Sequence, residues 1–304
     1  MNGPQAAYLD GNSNGRLHLQ HGPIDLVIGV DGGRADSEAD NRALAFALAE
    51  RRFRTILTEL VDELPLLKSQ ARSGNPQPEG SVARRMVAAV LPFAAGHFIT
   101  PMAAVAGSVA DEIRDAILAG FDTSDRPSRI YVNNGGDIAL HLDHPSEFRI
   151  GIAREDGAAL GQFALSATET ARGIATSGRG GRSLSMGIAD SVTIVARSAA
   201  AADAAATIIA NAVDLPGHPL VTRRKASDVA DDSDLGERLV VTGCGALSAP
   251  DIKAALDAGE RMADTLIARG LIHRAALFLK GQGRVVLPSP THSASSPHLE
   301  KHHA

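Results

Sequence analysis

Tryptophan is absent from this chain of 304 residues, and tyrosine and phenylalanine contribute only two and eight positions. Alanine, valine, isoleucine and leucine must therefore fill the core, and no obvious aromatic platform awaits a flat ligand. Cysteine is nearly absent as well. The lone Cys244 excludes an intramolecular disulfide and fits a reducing compartment. It lies at the end of an apolar run, Val240-Val241-Thr242-Gly243-Cys244, with no His or Asp at a nucleophile's spacing, so a small buried thiol is expected. No apolar run approaches the roughly 20 residues that span a bilayer, and no charged segment precedes a short apolar one at the start. These lacks exclude a membrane partner and predict a cytoplasmic protein. Cations are sparse and scattered: net charge is −5, and the densest basic run is Arg223-Arg224-Lys225. A run that short cannot neutralise many backbone phosphates, which excludes nucleic acid as a partner and reads as a solvated loop.

What is present is an ordinary globular balance, 44% hydrophobic and 21% charged. Alternation at Arg16–Gln20 and the apolar run Ile24–Val30, after a turn at Gly11, Asn12, Asn14 and Gly15, predict a hairpin or meander. His18 within it reads as a surface or satisfied histidine. Residues Ser37–Gln70 carry apolar positions at helical spacing, with Pro65 expected to end or kink the helix. Further helices are expected at Val82–Val90 and Met102–Leu118. The small residues Ala103, Ala104, Ala106, Gly107 and Ser108 in the latter suit close backbone packing or a wall against a flat ligand. Short strands are expected at Arg129–Asn133, Asp137–Leu142, Phe148–Ala153, Gln162–Leu165, Ile174–Thr176 and Ser191–Val195. An Ala-rich helix at Ala199–Val213 follows, then a strand at Arg238–Thr242 and a helix at Asp251–Arg269 bounded by Pro250 and Gly270. A last hairpin is expected to join Ala275–Leu279 to Arg284–Leu287 across Gly281-Gln282-Gly283. Helices and strands mix without strict βαβ alternation, so the fold class is α+β, one mixed domain over residues 1–287. From Pro288 the chain is rich in Ser, Pro and His and reads as a disordered tail, its four histidines (His292, His298, His302, His303) lacking a fixed metal geometry.

Three segments carry candidate chemistry. In Asn133-Asn134-Gly135-Gly136-Asp137 the paired glycines allow a hairpin turn or a close backbone approach to a ligand, and the flanking side chains can bond a heterocycle edge or sugar hydroxyls. In Thr176-Ser177-Gly178-Arg179-Gly180-Gly181-Arg182-Ser183, amides, hydroxyls and two guanidinium groups suit a phosphate or pyrophosphate, and equally a surface loop. In Ala202-Asp203-Ala204-Ala205-Ala206-Thr207, the carboxylate and hydroxyl stand four residues apart on one helix face. They could occupy neighbouring corners of a Mg²⁺ octahedron; by spacing alone, a Thr207 hydroxyl bonded back to the Asp203 carbonyl is the commoner arrangement.

Taken in order, Val132-Asn-Asn-Gly-Gly-Asp-Ile138, Ala175-Thr-Ser-Gly178, Ser191-Val-Thr-Ile194 and Ala202-Asp-Ala-Ala-Ala-Thr207 resemble the ApbE-like family of FAD:protein FMN transferases, in a divergent, uncharacterised branch. The likeness covers about Arg129–Val213 well and the rest loosely. It implies a mixed α+β fold, a Mg²⁺ role for Asp203 and Thr207, and a dinucleotide site lined by Asn133, Asn134, Gly135, Gly136, Asp137, Thr176, Ser177, Gly178, Arg179 and Arg182. It further implies FAD as the nucleotide and FMN transfer to an acceptor protein as the activity. The family's His-Ile-Ile-Asp-Pro segment is missing between Arg179 and Asp190, and Ala104-Val105-Ala106-Gly107 stands where the family carries a Lys-Gly pair. Two alternatives thus stay open: a non-catalytic flavin, pterin or nucleotide-binding protein, and an assembly protein without a ligand.

Overall fold

The computed structural model describes residues 3–9, 15–32, 38–153, 159–181 and 183–288. Its frame is one nine-stranded sheet in which every neighbouring pair is antiparallel. Across the sheet run β1 (Gln5–Tyr8), β2 (Leu17–His21), β3 (Ile24–Asp31), β4 (Arg129–Asn134), β5 (Asp137–Leu142), β8 (Gly173–Ser177), β9 (Ser191–Ala196), β12 (Arg274–Leu279) and β13 (Gln282–Val286). This is the α+β class. The numbering gap between β5 and β8 is a separate hairpin, β6 (Glu147–Ala153) and β7 (Ala159–Ser166). A second small sheet joins β10 (Val221–Lys225) to β11 (Leu239–Cys244).

Alternating side chains put different work on the two faces of the sheet. On β5, Leu140 and Leu142 meet Ile174, Val195 and Leu165, and the β6–β7 hairpin covers that face with Phe148 and Phe163. Ala139 points the opposite way, into a core shared with the helices α1 (Glu38–Asp62), α3 (Ser81–Val90) and α4 (Val105–Leu118). A short α2 (Leu64–Leu67) holds Pro65 in its first turn, so the proline starts this helix after α1 ends. A third body of apolar side chains centres on α5 (Ala199–Ala212) and α6 (Ala249–Ala268) against β9 and β12. Alanine makes this layering possible: α5 buries Ala199, Ala200, Ala202, Ala204, Ala205 and Ala206, which lets neighbours pack at backbone range. Gly107 on α4 does so: a Cβ there would lie 2.3 Å from the Ala199 carbonyl oxygen. The close packing expected of the small residues on this helix is thus present.

Several sequence expectations need adjustment. The helix expected from Met102 begins as a 3₁₀ turn at Pro101–Ala104 before α4 proper. The turn of the last hairpin lies at Lys280–Gly281, both with positive φ, so β13 begins at Gln282. Arg223-Arg224-Lys225 belongs to strand β10 rather than a loop, where Arg223 pairs with Asp214 and Lys225 with Glu237. Cys244 is half-buried rather than buried. His18 is satisfied by Asp25 at 3.1 Å. The first hairpin turn at 10–14 and the tail from 289 onward lie outside the described residues. No described helix is long and apolar enough to cross a membrane.

Candidate functional site

The start of α5 is fastened from three sides, and the fastening places the candidate site. Ser198 caps the helix by accepting from the Ala201 N–H. The fully buried Asp111 of α4 accepts from the Ala199 and Ala200 N–H groups at 3.2 and 2.9 Å, and from Arg114 at 2.8 Å. Gly107 then brings α4 against the same turn. One turn further along α5, Asp203 accepts the Gly107 N–H at 3.0 Å through one carboxylate oxygen.

Asp203 opens into a cavity of about 350 Å³ that gathers parts of all three candidate segments. From the β4–β5 hairpin come Asn134, Gly135 and Asp137; from the end of β8 come Thr176, Ser177 and Gly178; from α5 come Asp203 and Thr207. The hairpin is a two-residue turn with φ of 65° at Gly135 and 113° at Gly136, which glycine alone adopts without strain. Asn133 accepts the Gly136 N–H at 2.8 Å and closes this turn; neither residue lines the cavity. Asn134 donates to the Ala106 carbonyl at 3.1 Å, tying the hairpin to α4. Asp137 accepts from the Thr176 N–H at 3.3 Å, and the Thr176 and Thr193 hydroxyls bond at 2.9 Å. Thr207 makes no hydrogen bond among the described residues, so the expected back-bond to the Asp203 carbonyl is not formed. Its hydroxyl lies in the cavity wall with its bonding capacity unspent.

The phosphate-type loop is organised differently from its sequence appearance. The N–H groups of Arg179, Gly180 and Gly181 bond the carbonyls of Ala189, Asp190 and Gly178. The Arg179 guanidinium turns away to pair with Asp190 at 2.5 Å and does not line the cavity. Arg182 lies outside the described residues. What this loop gives the cavity is Ser177, Gly178, Gly181, Ser183, Leu184 and Ser185.

Sequence reasoning missed Asn211, which lines the cavity four residues beyond Thr207 and accepts from the Met186 N–H at 3.0 Å. The repeat Asp203, Thr207, Asn211 at i, i+4 and i+8 was its available signal. It also missed Asp234, from the segment between β10 and β11, whose carboxylate accepts the Thr100 hydroxyl. No sequence pattern brings that segment here. Met102, Ala103, Val105 and Ala106 complete one wall.

The electrostatics are one-sided. Three carboxylates, Asp137, Asp203 and Asp234, face the cavity, and no Lys, Arg or His lines it among the described residues. Burial, and next the Asp137 carboxylate nearby, push the Asp203 carboxyl well above the usual carboxylate range. The N–H groups of Gly107 and Ala106 pull less strongly the other way. In the folded metal-free protein Asp203 therefore holds its proton to higher pH than in the unfolded chain. Stability is fully kept below the unfolded carboxylate range and is lost as pH rises toward the raised folded value. Asp203→Asn, which stays neutral, is expected to become progressively more stable than the native chain as pH rises through that window. Urea unfolding in chelator at several pH values checks this; a pH-independent difference would contradict it.

Comparison with known proteins agrees with the motif resemblance. The model of the family described as AbpE bacteria matches residues 6–285. A UPF0280 protein of Methanopyrus kandleri is 33% identical over 226 residues, covering 68% of this chain and 80% of the relative. A UPF0280 protein of Methanosphaerula palustris is 37% identical over 152 residues, or 49% of this chain and 60% of that relative, so this match spans under two thirds of its length. Among solved structures, the flavin transferase ApbE from Vibrio cholerae aligns with a TM-score of 0.38 and 13% identity, covering 93% of this chain and 97% of that one. An ApbE protein from Thermotoga maritima aligns with a TM-score of 0.39 and 15% identity, covering 84% and 77%. The structural likenesses are weak, and the site's chemistry rests on this chain's own residues.

Proposed function

This chain belongs to the AbpE bacteria family, a divergent ApbE-like branch, and from that premise we propose that it binds FAD or a closely related nucleotide through Mg²⁺ in the cavity beside α5. The carrying observation is the convergence of Asp137, Asp203 and the unspent Thr207 hydroxyl on one cavity wall that holds no cationic side chain among the described residues. The donor set fits the ion. Carboxylate and hydroxyl oxygens are the hard ligands Mg²⁺ prefers, and the ion keeps several waters and takes phosphate oxygens besides. Among the described residues no three His, Cys, Asp or Glu side chains stand close enough together to hold one metal ion. That suits an ion bound by few protein ligands and completed by its substrate.

Bound Mg²⁺ would neutralise charge on the pyrophosphate. The protein's own part is positional. The Gly107 N–H holds one oxygen of Asp203 and the Thr176 N–H holds Asp137, so both carboxylates keep their direction. Ser177, Ser183 and Asn211 stand ready around the ligand with hydroxyl and amide groups. Flavin as the heterocycle comes from the motif resemblance alone. Cavity shape does not select it.

A second reading, binding without transfer, has an observation in its favour: no His, Lys or Arg among the described lining residues stands ready as a general base or to balance charge at phosphorus. Two measurements test and separate these readings. Asp203→Ala is expected to abolish Mg²⁺-dependent FAD binding, a loss of at least about 100-fold or ~2.7 kcal/mol; unchanged binding would remove Asp203 from the metal site. AMP release from FAD in the presence of Mg²⁺ then marks an enzyme. Stable FAD binding with no AMP marks a binding protein.

A further inference from the structure

Beside the cavity lies a second, more open groove of about 580 Å³, and the two share Asp234 and Leu235 as their common wall. The groove supplies what the cavity lacks. Its lining includes Phe98, Arg238, Lys68 and Gln70, an aromatic ring, two cations and an amide, together with the Asp234 and Glu237 carboxylates. The Arg238 guanidinium carbon stands 3.5 Å from the Phe98 ring centroid, so the two groups form one stacked platform. Arg238 is exposed and makes no ion pair among the described residues, so its guanidinium is held by the Phe98 ring rather than by a carboxylate. Its backbone is fixed: its N–H donates to the Leu235 carbonyl, and its own carbonyl accepts from Ala226. Lys68 is fixed too, donating to the Asp232 carbonyl, with the Asp232 carboxylate 3.5 Å away.

A planar guanidinium already backed by a ring is a good surface for a heterocycle, because stacking and cation–π attraction act together on its outer face. The two spaces differ in what they offer: the cavity gathers carboxylate and hydroxyl oxygens, and the groove adds a stacking surface. A metal-bound phosphate belongs on the cavity side of the Asp234–Leu235 wall, and a planar ring attached to it belongs against the Phe98–Arg238 platform on the other. In a protein with so few aromatic residues, placing Phe98 here gives the site its stacking partner.

We propose that this groove seats a planar heterocycle of the ligand whose phosphates lie in the cavity, with the Phe98–Arg238 platform stacking on the ring and the Gln70 amide facing its edge. The proposal rests on the cavity reading above and extends it to a second set of residues. It is tested by calorimetric titration of the full chain in Mg²⁺ with two probes: FAD, which carries heterocycles, and inorganic pyrophosphate, which carries none. Native protein is expected to bind both. Arg238→Ala and Phe98→Leu are each expected to weaken FAD at least tenfold while leaving pyrophosphate within about twofold of native. Unchanged FAD affinity in both variants would overturn the groove and leave the cavity reading intact. Equal weakening of both probes would also overturn it, by reducing these residues to props of the Asp234–Leu235 wall. If native protein binds pyrophosphate but not FAD, the groove is again overturned; if it binds neither, the cavity reading falls with it.

Discussion

Asp111→Ala is expected to destabilise the protein by about 3–5 kcal/mol, the usual cost of removing one member of a buried ion pair. Asp111 is fully buried and serves three donors at once: the Ala199 and Ala200 N–H groups and the Arg114 guanidinium. Burial, the largest influence, raises its carboxyl pKa. Arg114 and the two helix amides oppose this without overcoming it. Its removal leaves two helix N–H groups without their acceptor inside the protein. Arg114 retains Asp115, so the loss falls chiefly on the start of α5. A fall in Tm on the order of 10 °C follows for a chain of this size. Asp111→Asn, which keeps an acceptor oxygen but loses the charge, is expected to cost roughly half as much. Because Asp203 stands one turn beyond this anchor, the Ala variant should also lose metal affinity at temperatures where it remains folded. Thermal melts and Mg²⁺ titrations check both effects; a cost of Asp111→Ala under about 1 kcal/mol would mean the anchor is unimportant.

The second large effect concerns charge in the cavity. An ionised carboxylate facing a phosphate at about 4 Å meets a repulsion of ~4 kcal/mol at an effective dielectric near 20, and Asp203, which without metal holds its proton to raised pH, adds its own as it ionises. No described cationic lining residue offsets it. Native protein should therefore gain at least about 100-fold in FAD affinity on adding Mg²⁺. In the double variant Asp137→Asn, Asp203→Asn the shapes persist. Each new amide oxygen can still accept the N–H its predecessor held, from Thr176 and Gly107 respectively. The repulsion from these two side chains and both carboxylate ligands are lost together, while Asp234 and Thr207 remain. The Mg²⁺ effect is expected to shrink below about threefold, and metal-free FAD binding is expected to improve over native. Titrations of both proteins in Mg²⁺ and in chelator measure this. A full Mg²⁺ effect in the double variant would place the ion elsewhere.

The legibility of this molecule in its sequence follows burial. Strands rich in buried apolar residues stand out: β5 begins at Asp137 and β9 at Ser191, as apolar runs bounded by turn residues indicate. The Ala-rich α5 was equally plain. Strand β1, exposed at all four residues, carried no hydrophobic pattern to read. Strand β10 has three charged residues in succession and is half-buried or exposed throughout. It exists through its pairing with β11 and through ion pairs to Asp214 and Glu237, which only the fold brings near.

The site divides in the same way. Asp137, Asp203 and Thr207 belong to the motifs that carry the family resemblance, and they line one cavity. Arg179 reads as an anion ligand in its Gly-rich setting, yet Asp190 claims it from eleven residues away. Two of the loop amides are claimed by the Ala189 and Asp190 carbonyls of the returning chain, and the Gly181 amide by Gly178. Local composition shows which groups a loop owns; whether they are already partnered depends on the returning chain. Asp234 and the Phe98–Arg238 platform arise from segments more than a hundred residues apart, and no spacing rule connects them.

Fluorescence titration of FAD with the native protein, once in Mg²⁺ and once in chelator, tests the central claim most directly. Micromolar binding in Mg²⁺ that weakens at least about 100-fold in chelator is the predicted result. Binding of equal strength in both conditions, or none in either, would contradict a metal-bridged nucleotide site built on Asp137, Asp203 and Thr207.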